Sequence, residues 1–476
     1  MGLIQRVWEG IKTMLGIRKD VLEVFDATPE ISTKMEELIS MFDDITRGEP
    51  GWIDADDDIR SISFASFIDK YIADLVCLNM EVKVTGSERA KELQKDIDYM
   101  MKKIVDHVAE ALGNVGIMFK PNGENIDYVE AGYFVPLETN SNGDILACAF
   151  KTVKYVGKYK YTKWEKHQFV KEKDPETEEE KKVYKITNKA FKSEKNDALG
   201  DECLLSEIDE WADIEPETTV ENLEKPLYAY FRNPAPNNVD RRSALGLPIW
   251  YPAIMELSDL DIAWSRKSDE AADSKHITFV PQNAIKYAEQ EKITLPRFVK
   301  GLELGMTSGE KIDEHVPSMI TANRLMDINS ILAMISMKCG LSTSTFKLDE
   351  KTGMITATQV EADDQETIRT VKTLRDTLKI AIDDLVYACN KMADIRQDTL
   401  PTSYKIDYDW GDITYNYAED RAMWLSYVAN GYVTPEKYFE KFEGMTPEEA
   451  KKTVKEAREA IIAQSQFNVS EMGEDE

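Results

Sequence analysis

Five carboxylates in one stretch, Asp363, Asp364, Glu366, Asp383 and Asp384, are of the type that holds the metal pair of a carboxylate-metal nuclease. They fall on one long helical pattern, where a solvated face would carry the same residues. A second acidic group, Asp54, Asp56, Asp57 and Asp58, lacks the alternation and the glycine of a calcium loop and reads as a solvated turn. The four histidines, His107, His167, His276 and His315, make no HxxxH or HExxH spacing, so no zinc site is indicated. Cys77, Cys148, Cys203, Cys339 and Cys389 are scattered without CxxC pairs, which fits a reducing compartment and no disulfide framework. Gly301 to Gly309 (GLELGMTSG) is glycine-rich but has neither the lysine nor the strand-to-helix setting of a phosphate loop. No GxxxxGK[ST] and no GxSxG elbow occurs. These residues indicate no catalytic, cofactor-binding or metal site, and ATP hydrolysis is not expected.

One remaining constellation is a loop. Leu341 to Gly353 sets Phe346, Lys347, Asp349, Glu350 and Lys351 among small hydroxyl residues. A connection of that length between helices is commonly functional or mobile. Two helices must position it. Met319 to Cys339 is rich in Leu, Ile, Met and Ala and is closed by Gly340 as a C-cap. After the loop, Ile368, Val371, Leu374, Leu378, Ala381, Ile382, Leu385 and Cys389 form a stripe at helical spacing from Gln359 to Ile395. No Pro or Gly interrupts that run, which predicts a rod of about 55 Å. Its other face carries Arg369, Lys372, Arg375, Asp376 and Lys379, with Thr356 or Thr358 as N-cap.

The whole chain has 476 residues and a net charge of −29, with 42% hydrophobic residues. That apolar content supports real cores, in two to four domains or one subunit with several lobes. Such acidity disfavours tight nucleic-acid binding, since affinity for phosphates comes from cations. It is compatible with a surface past which DNA slides. No apolar run is long enough for a membrane span. The first residues lack a myristoylation pattern and do not read as a secretory signal. Residues 3 to 15 predict an amphipathic helix that packs on protein in preference to a membrane surface.

Further helices are expected over 30–47, 63–77, 90–112, 246–272, 418–430 and from Thr446 onward. Residues 117 to 186 break into short strand candidates, 117–120, 126–129, 134–137, 145–156, 158–164, 168–170 and 183–186, as in an antiparallel β-rich lobe. Other strands are expected at 78–84, 276–281 and 404–410. Residues 171–182 (KEKDPETEEEKK) read as a charged hairpin tip, residues 194–225 as an irregular excursion, and the tail after Gln464 as disordered.

The segment from Gly340-Leu341-Ser342 through TATQV (356–360), continued by ETIRTVKTLRDTLKIAIDDL (366–385), resembles the stem, tunnel-loop and long-helix region of tailed-bacteriophage portal proteins. The subgroup from phages of Gram-positive bacteria is the one it is most similar to. Tyr133 to Leu137 followed by CAFK (148–151) resembles the wing of that subgroup, and Trp52 matches its N-terminal tryptophan, although the aromatic before the glycine is missing. The resemblance implies an α+β, elongated portal-type subunit: N-terminal helices and β-rich wing (1–245), stem helix (246–273), small α/β clip (274–318), second stem helix (319–340), tunnel loop (341–358), long helix (359–396), returning wing strand (397–414), and helical crown with acidic tail (415–476). It implies a homo-oligomeric, dodecameric ring at one capsid vertex of the virion, assembled in the host cytoplasm. Double-stranded DNA would pass through it, beside Phe346, Lys347, Asp349, Glu350 and Lys351 of the tunnel loop. The terminase large subunit and then a head-completion adaptor would dock on the clip at Lys292, Arg297 and Lys311, and the ring would contact major capsid and scaffold proteins. No cofactor, metal, membrane or bond-making step is implied. A carboxylate-metal nuclease and a non-portal capsid or scaffold protein stay open as alternatives.

Overall fold

The computed structural model describes residues 18–53, 59–122, 125–173, 180–195, 198–273, 277–281, 290, 299–302, 313–315, 321–348, 357–396, 400–411, 417–443, 445–457 and 459. The fold is α+β, in two compact units, Met1–Gly411 and Asp412–Glu476.

The spine of the first unit is the helix Ala357–Ile395 (α8), about 58 Å long at the usual rise. The expected stripe is its buried side: Val371, Leu374, Leu378, Ala381, Ile382, Leu385 and Cys389 are all inside. They pack on α3 (Phe64–Val76), α4 (Glu88–Met101), β2 (Ile117–Pro121) and β10 (Ala229–Phe231). Arg375 departs from its expected exposed face. It is buried and donates to the carbonyls of Leu75, Val76, Leu78 and Gly411 at 2.8–3.2 Å. One guanidinium thereby satisfies the carbonyls at the C-terminal end of α3, which have no intrahelical donor.

Helix α1 covers 18–25, helix α2 (Thr33–Thr46) is capped by Ser32 and α4 by Ser87, each serine accepting from the amide three residues on. The helix expected over 90–112 is two helices, α4 and α5 (Ile104–Gly113), parted at Lys102 and Lys103. No Gly or Pro marks the break; packing of α5 against α3 sets its direction.

The β-rich lobe is a sheet in which β4 (Phe134–Thr139), β5 (Ile145–Val156), β6 (Tyr159–Lys173), β7 (Glu180–Ser193) and β8 (Asp201–Cys203) follow in order, with β9 (Glu217–Glu221) also on β7, all antiparallel. The short candidates over 158–170 are one strand, β6 (Tyr159–Lys173), and 183–186 belongs to the long β7 (Glu180–Ser193). Between the two candidates Glu165 and His167 are buried, and both have partners. Glu165 accepts from Lys120 of β2 at 2.9 Å, from Lys163 at 3.1 Å, and contacts His167 Nε2 at 2.7 Å. His167 Nδ1 in turn meets the Tyr184 hydroxyl at 2.9 Å. Residues 201–221 are less irregular than expected: β8 (Asp201–Cys203), two short 3-10 turns and β9 (Glu217–Glu221) follow each other, with Ile208 and Trp211 buried against Tyr161 and Ala190.

Smaller sheets in this unit are β10-β2-β3, with β3 at Ile126–Val129, the pair β1 (Glu81–Thr85) with β14 (Lys405–Asp409), and a three-stranded sheet described below. In the second unit, α9 (Tyr417–Ala429) and α10 (Pro435–Phe442) pack through Trp424 and Phe442, and Arg421 pairs with Glu443 at 2.7 Å. A further helix, α11, covers 447–457.

Candidate functional site

Helix α6 (Ile254–Asp273) and helix α7 (Thr321–Lys338) pack side by side. Lys338 pairs with Glu256 at 2.5 Å and Arg324 with Glu270 at 3.0 Å. The start of one helix thus meets the end of the other, so the two run antiparallel. Between them in sequence lie β11 (Ile277–Pro281), β12 (Val299–Leu302) and β13 (Asp313–His315), a sheet ordered β12-β11-β13 with the first pair parallel and the second antiparallel. Trp52 and the backbone of Ile62 both donate to Asp261, which ties the segment after α2 to α6.

Helix α7 ends at Gly340, whose φ of +72° is natural only for glycine. Gly340 N donates to Met337 O and Leu341 N to Ser336 O, the paired bonds of a Schellman motif. A side chain here would also strike Thr370 Oγ1, only 2.5 Å from where Cβ would lie. Thr370 uses that hydroxyl to donate to Gly340 O at 2.6 Å.

The first half of the loop is pinned at several points. Ser342 N donates to Thr367 of α8 at 3.0 Å, and Leu348 N to Asn329 of α7 at 2.9 Å. Phe346 is 8% exposed, its ring edge-on to Phe64, Phe67 and Tyr71 at centroid distances of 5.2–5.7 Å. An aromatic ring held among three others on α3 anchors the loop. Lys347 and Leu348, next along, are exposed. Asp349, Glu350 and Lys351 lie outside the described residues, as do Lys292, Arg297 and Lys311.

The carboxylates with metal-binding potential do not converge. Glu366 and Asp383 lie seventeen residues apart on α8, about 25 Å along its axis, against the 3.5–4 Å that separates a metal pair. Asp383 accepts from the Tyr408 hydroxyl at 2.6 Å, and Asp384 pairs with Lys225 at 2.6 Å. The side chains of Asp363 and Asp364, and residues 54–58, lie outside the described residues. Among the described residues no group of three His, Cys, Asp or Glu side chains has the geometry for a metal ion. The described cysteines are free thiols, and no described helix is long and apolar enough to cross a membrane.

Sequence reasoning missed the buried Lys120–Glu165–His167–Tyr184 network. Lys163, Glu165 and His167 at alternate positions, on the strand face that also carries Tyr159, Tyr161 and Phe169, were its only signal. Burial alone would raise the Glu165 pKa, but Lys120, the His167 hydrogen bond and Lys163 hold it well below the usual carboxylate range. Burial lowers the pKa of His167, partly opposed by Glu165. The network joins β2 to β6 and is closed by Leu227 N donating to the Tyr184 hydroxyl at 3.0 Å.

No protein-family model matches the chain, and no curated protein matches it. Among solved structures it is similar to a chain in the neck of an empty GTA particle computed with C6 symmetry, at 10% identity and a TM-score of 0.40, over 81% of this chain and 90% of that one.

Proposed function

We propose that the chain is a portal-type subunit of a bacteriophage head-to-tail connector. Copies associate into a ring, dodecameric in the virion, through which double-stranded DNA is packaged and ejected. The observation that carries this reading is the antiparallel pair α6 and α7, joined through a small sheet, then a pinned turn and a 39-residue helix. That order corresponds to the stem, clip, tunnel loop and long helix that the sequence resemblance implied.

The surface of the stem pair supports assembly. Met255 of α6 is 71% exposed and Met326 of α7 is 69% exposed, and Met334, Met337 and Ile380 are exposed as well. Large apolar side chains exposed on helices favour burial against another subunit. Neighbouring copies in a closed ring would cover them through head-to-tail interfaces. The net charge of −29 suits a wall along which DNA moves without being held.

In this reading the protein is no enzyme and binds no cofactor. Lys347, with Asp349, Glu350 and Lys351, belongs to the segment that meets DNA. Lys292, Arg297 and Lys311 belong to the face that receives the terminase large subunit and then the head-completion adaptor. Capsid and scaffold proteins surround the ring. Negative-stain images of the purified chain test the reading: ring-shaped particles with a central hole are expected. A monomer at micromolar concentration, or open rods and shells, would overturn it.

A further inference from the structure

The strands β5, β6 and β7 are rich in lysines, and many of these face a carboxylate. Lys151 pairs with Asp20 at 3.7 Å, Lys163 with Glu165 at 3.1 Å, Lys171 with Glu180 at 3.5 Å and Lys192 with Glu207 at 2.8 Å. Lys166 of β6 differs. Among the described residues no carboxylate lies within ion-pair distance of it, and its ammonium sits 5.1 Å from the ring centre of Phe25 in α1. We infer that Lys166 is a site of covalent acylation whose acyl donor is an anionic one, of the acyl phosphate class.

The register of the sheet creates this environment. Ala149 of β5 and Thr187 of β7 stand directly opposite Lys166, so neither flanking strand offers it an acid at the same level. Its diagonal neighbours on β7, two residues to either side of Thr187, are Lys185 and Lys189. Diagonal positions lie about 7–8 Å apart, within reach of side chains as long as lysine. Because successive side chains alternate between faces, the three lysines share one face of the sheet. Lys185 pairs with Glu217 of β9 at 2.6 Å, and Lys189 donates to the carbonyl of Val24 in α1 at 2.9 Å. A carbonyl has no net charge, so the Lys189 ammonium is not neutralised there. Three ammonium groups thus share one carboxylate, Glu217.

This setting acts on the Lys166 amine in two ways. Burial, and after it Lys185 and Lys189, lower its pKa, with Glu217 partly opposing them. More of the neutral, nucleophilic amine is then present near neutral pH than on a solvated lysine, as for amines activated by a neighbouring cation. The same neighbouring cations attract an anionic reagent and hold its phosphate beside the amine. The Nζ lone pair attacks the carbonyl carbon of the acyl phosphate, and an amide C–N bond forms. The bond from that carbon to the bridging oxygen breaks, its electron pair stays on oxygen, and inorganic phosphate leaves. The proton lost from nitrogen passes to the departing phosphate. The amide formed is uncharged, so repulsion from Lys185 and Lys189 ends and the attraction to the Phe25 ring is given up.

Acetylation of the full-length protein by acetyl phosphate, with the initial rate at each lysine read by peptide mass spectrometry, tests the inference. Lys166 should react faster than Lys158 and Lys171, whose exposed ammonium groups are paired with Glu194 and Glu180. With the neutral donor N-acetylimidazole that preference should shrink, because charge no longer draws the reagent to Lys185 and Lys189. The variant Lys185→Gln with Lys189→Gln should slow the reaction at Lys166 about tenfold or more, the effect of one pKa unit on the neutral fraction. Lys185→Arg with Lys189→Arg keeps both charges and should retain the wild-type rate. If the double glutamine variant does not fold by circular dichroism, Lys185→Gln alone should still slow Lys166, since it leaves Glu217 to offset that lysine's charge. The inference is wrong if Lys166 reacts no faster than Lys158, if both donors show the same preference, or if the folded glutamine variant is acetylated at the wild-type rate.

Discussion

At the scale of single residues, buried charges hold the first unit together and are the places where one substitution matters most. Removing Glu165 leaves Lys163 in the interior without its counter-charge and Lys120 with only Asp127, 3.8 Å away. Glu165→Ala should cost about 3–5 kcal/mol, read from denaturant midpoints at fixed protomer concentration. The pH dependence follows from the direction of both shifts. Glu165 and His167 each have a folded pKa below the unfolded value. Each therefore contributes stability that is complete above its unfolded pKa and is lost as pH falls toward the folded one. Stability should begin to fall below about pH 6.5, where an unfolded histidine gains its proton, and again below about pH 4.3 for the glutamate. Glu165→Gln should flatten the lower limb. Arg375→Ala should be comparably harmful, about 3 kcal/mol, since four carbonyls lose their donor at once. If Arg375→Lys restores less than half of that, the planar fork matters as well as the charge.

At the scale of elements, the turn between α7 and α8 divides into an anchored half and a distal half. Gly340, Ser342 and Phe346 fix the first half to α3, α7 and α8. Phe346→Ala should lower stability by about 2–4 kcal/mol through loss of the aromatic cluster, and melting of the purified protein would measure it. Asp349→Lys with Glu350→Lys should leave melting unchanged, because the packing lies in the flanking helices. In the portal reading that change adds two cations per subunit beside the duplex, so DNA is retained more strongly and with a steeper salt dependence. Packaged DNA length measured against salt, in procapsids carrying the variant, is the check; unchanged packaging in intact rings would remove this loop from the channel.

At the scale of the whole molecule, two units with separate cores predict that truncation after Gly411 leaves the unfolding transition of the first unit in place. The exposed methionines of α6 and α7 make the second prediction at this scale. Met326→Glu with Met337→Glu should convert rings to smaller species by light scattering while circular dichroism stays native. Native-sized rings from that variant would place the subunit interface elsewhere.

The sequence by itself determined the long helix, its buried stripe and its closing neighbours, because one face of α8 repeats at helical spacing without a breaker and Gly340 supplies the only backbone that can turn there. It also determined most strands between 117 and 156, where apolar runs alternate with Asn-Gly turns. Only the tertiary structure decided what the polar residues do. Arg375 and Phe346 look like surface and loop residues in the chain, and both are buried because α3 offers carbonyls to one and aromatic rings to the other. Strand candidates 158–164 and 168–170 are one strand, because Lys120 arrives from β2 to pair with the buried Glu165 between them. Likewise α4 and α5 part at two lysines with no local signal, since a helix boundary set by packing leaves no mark in the residues at the boundary itself.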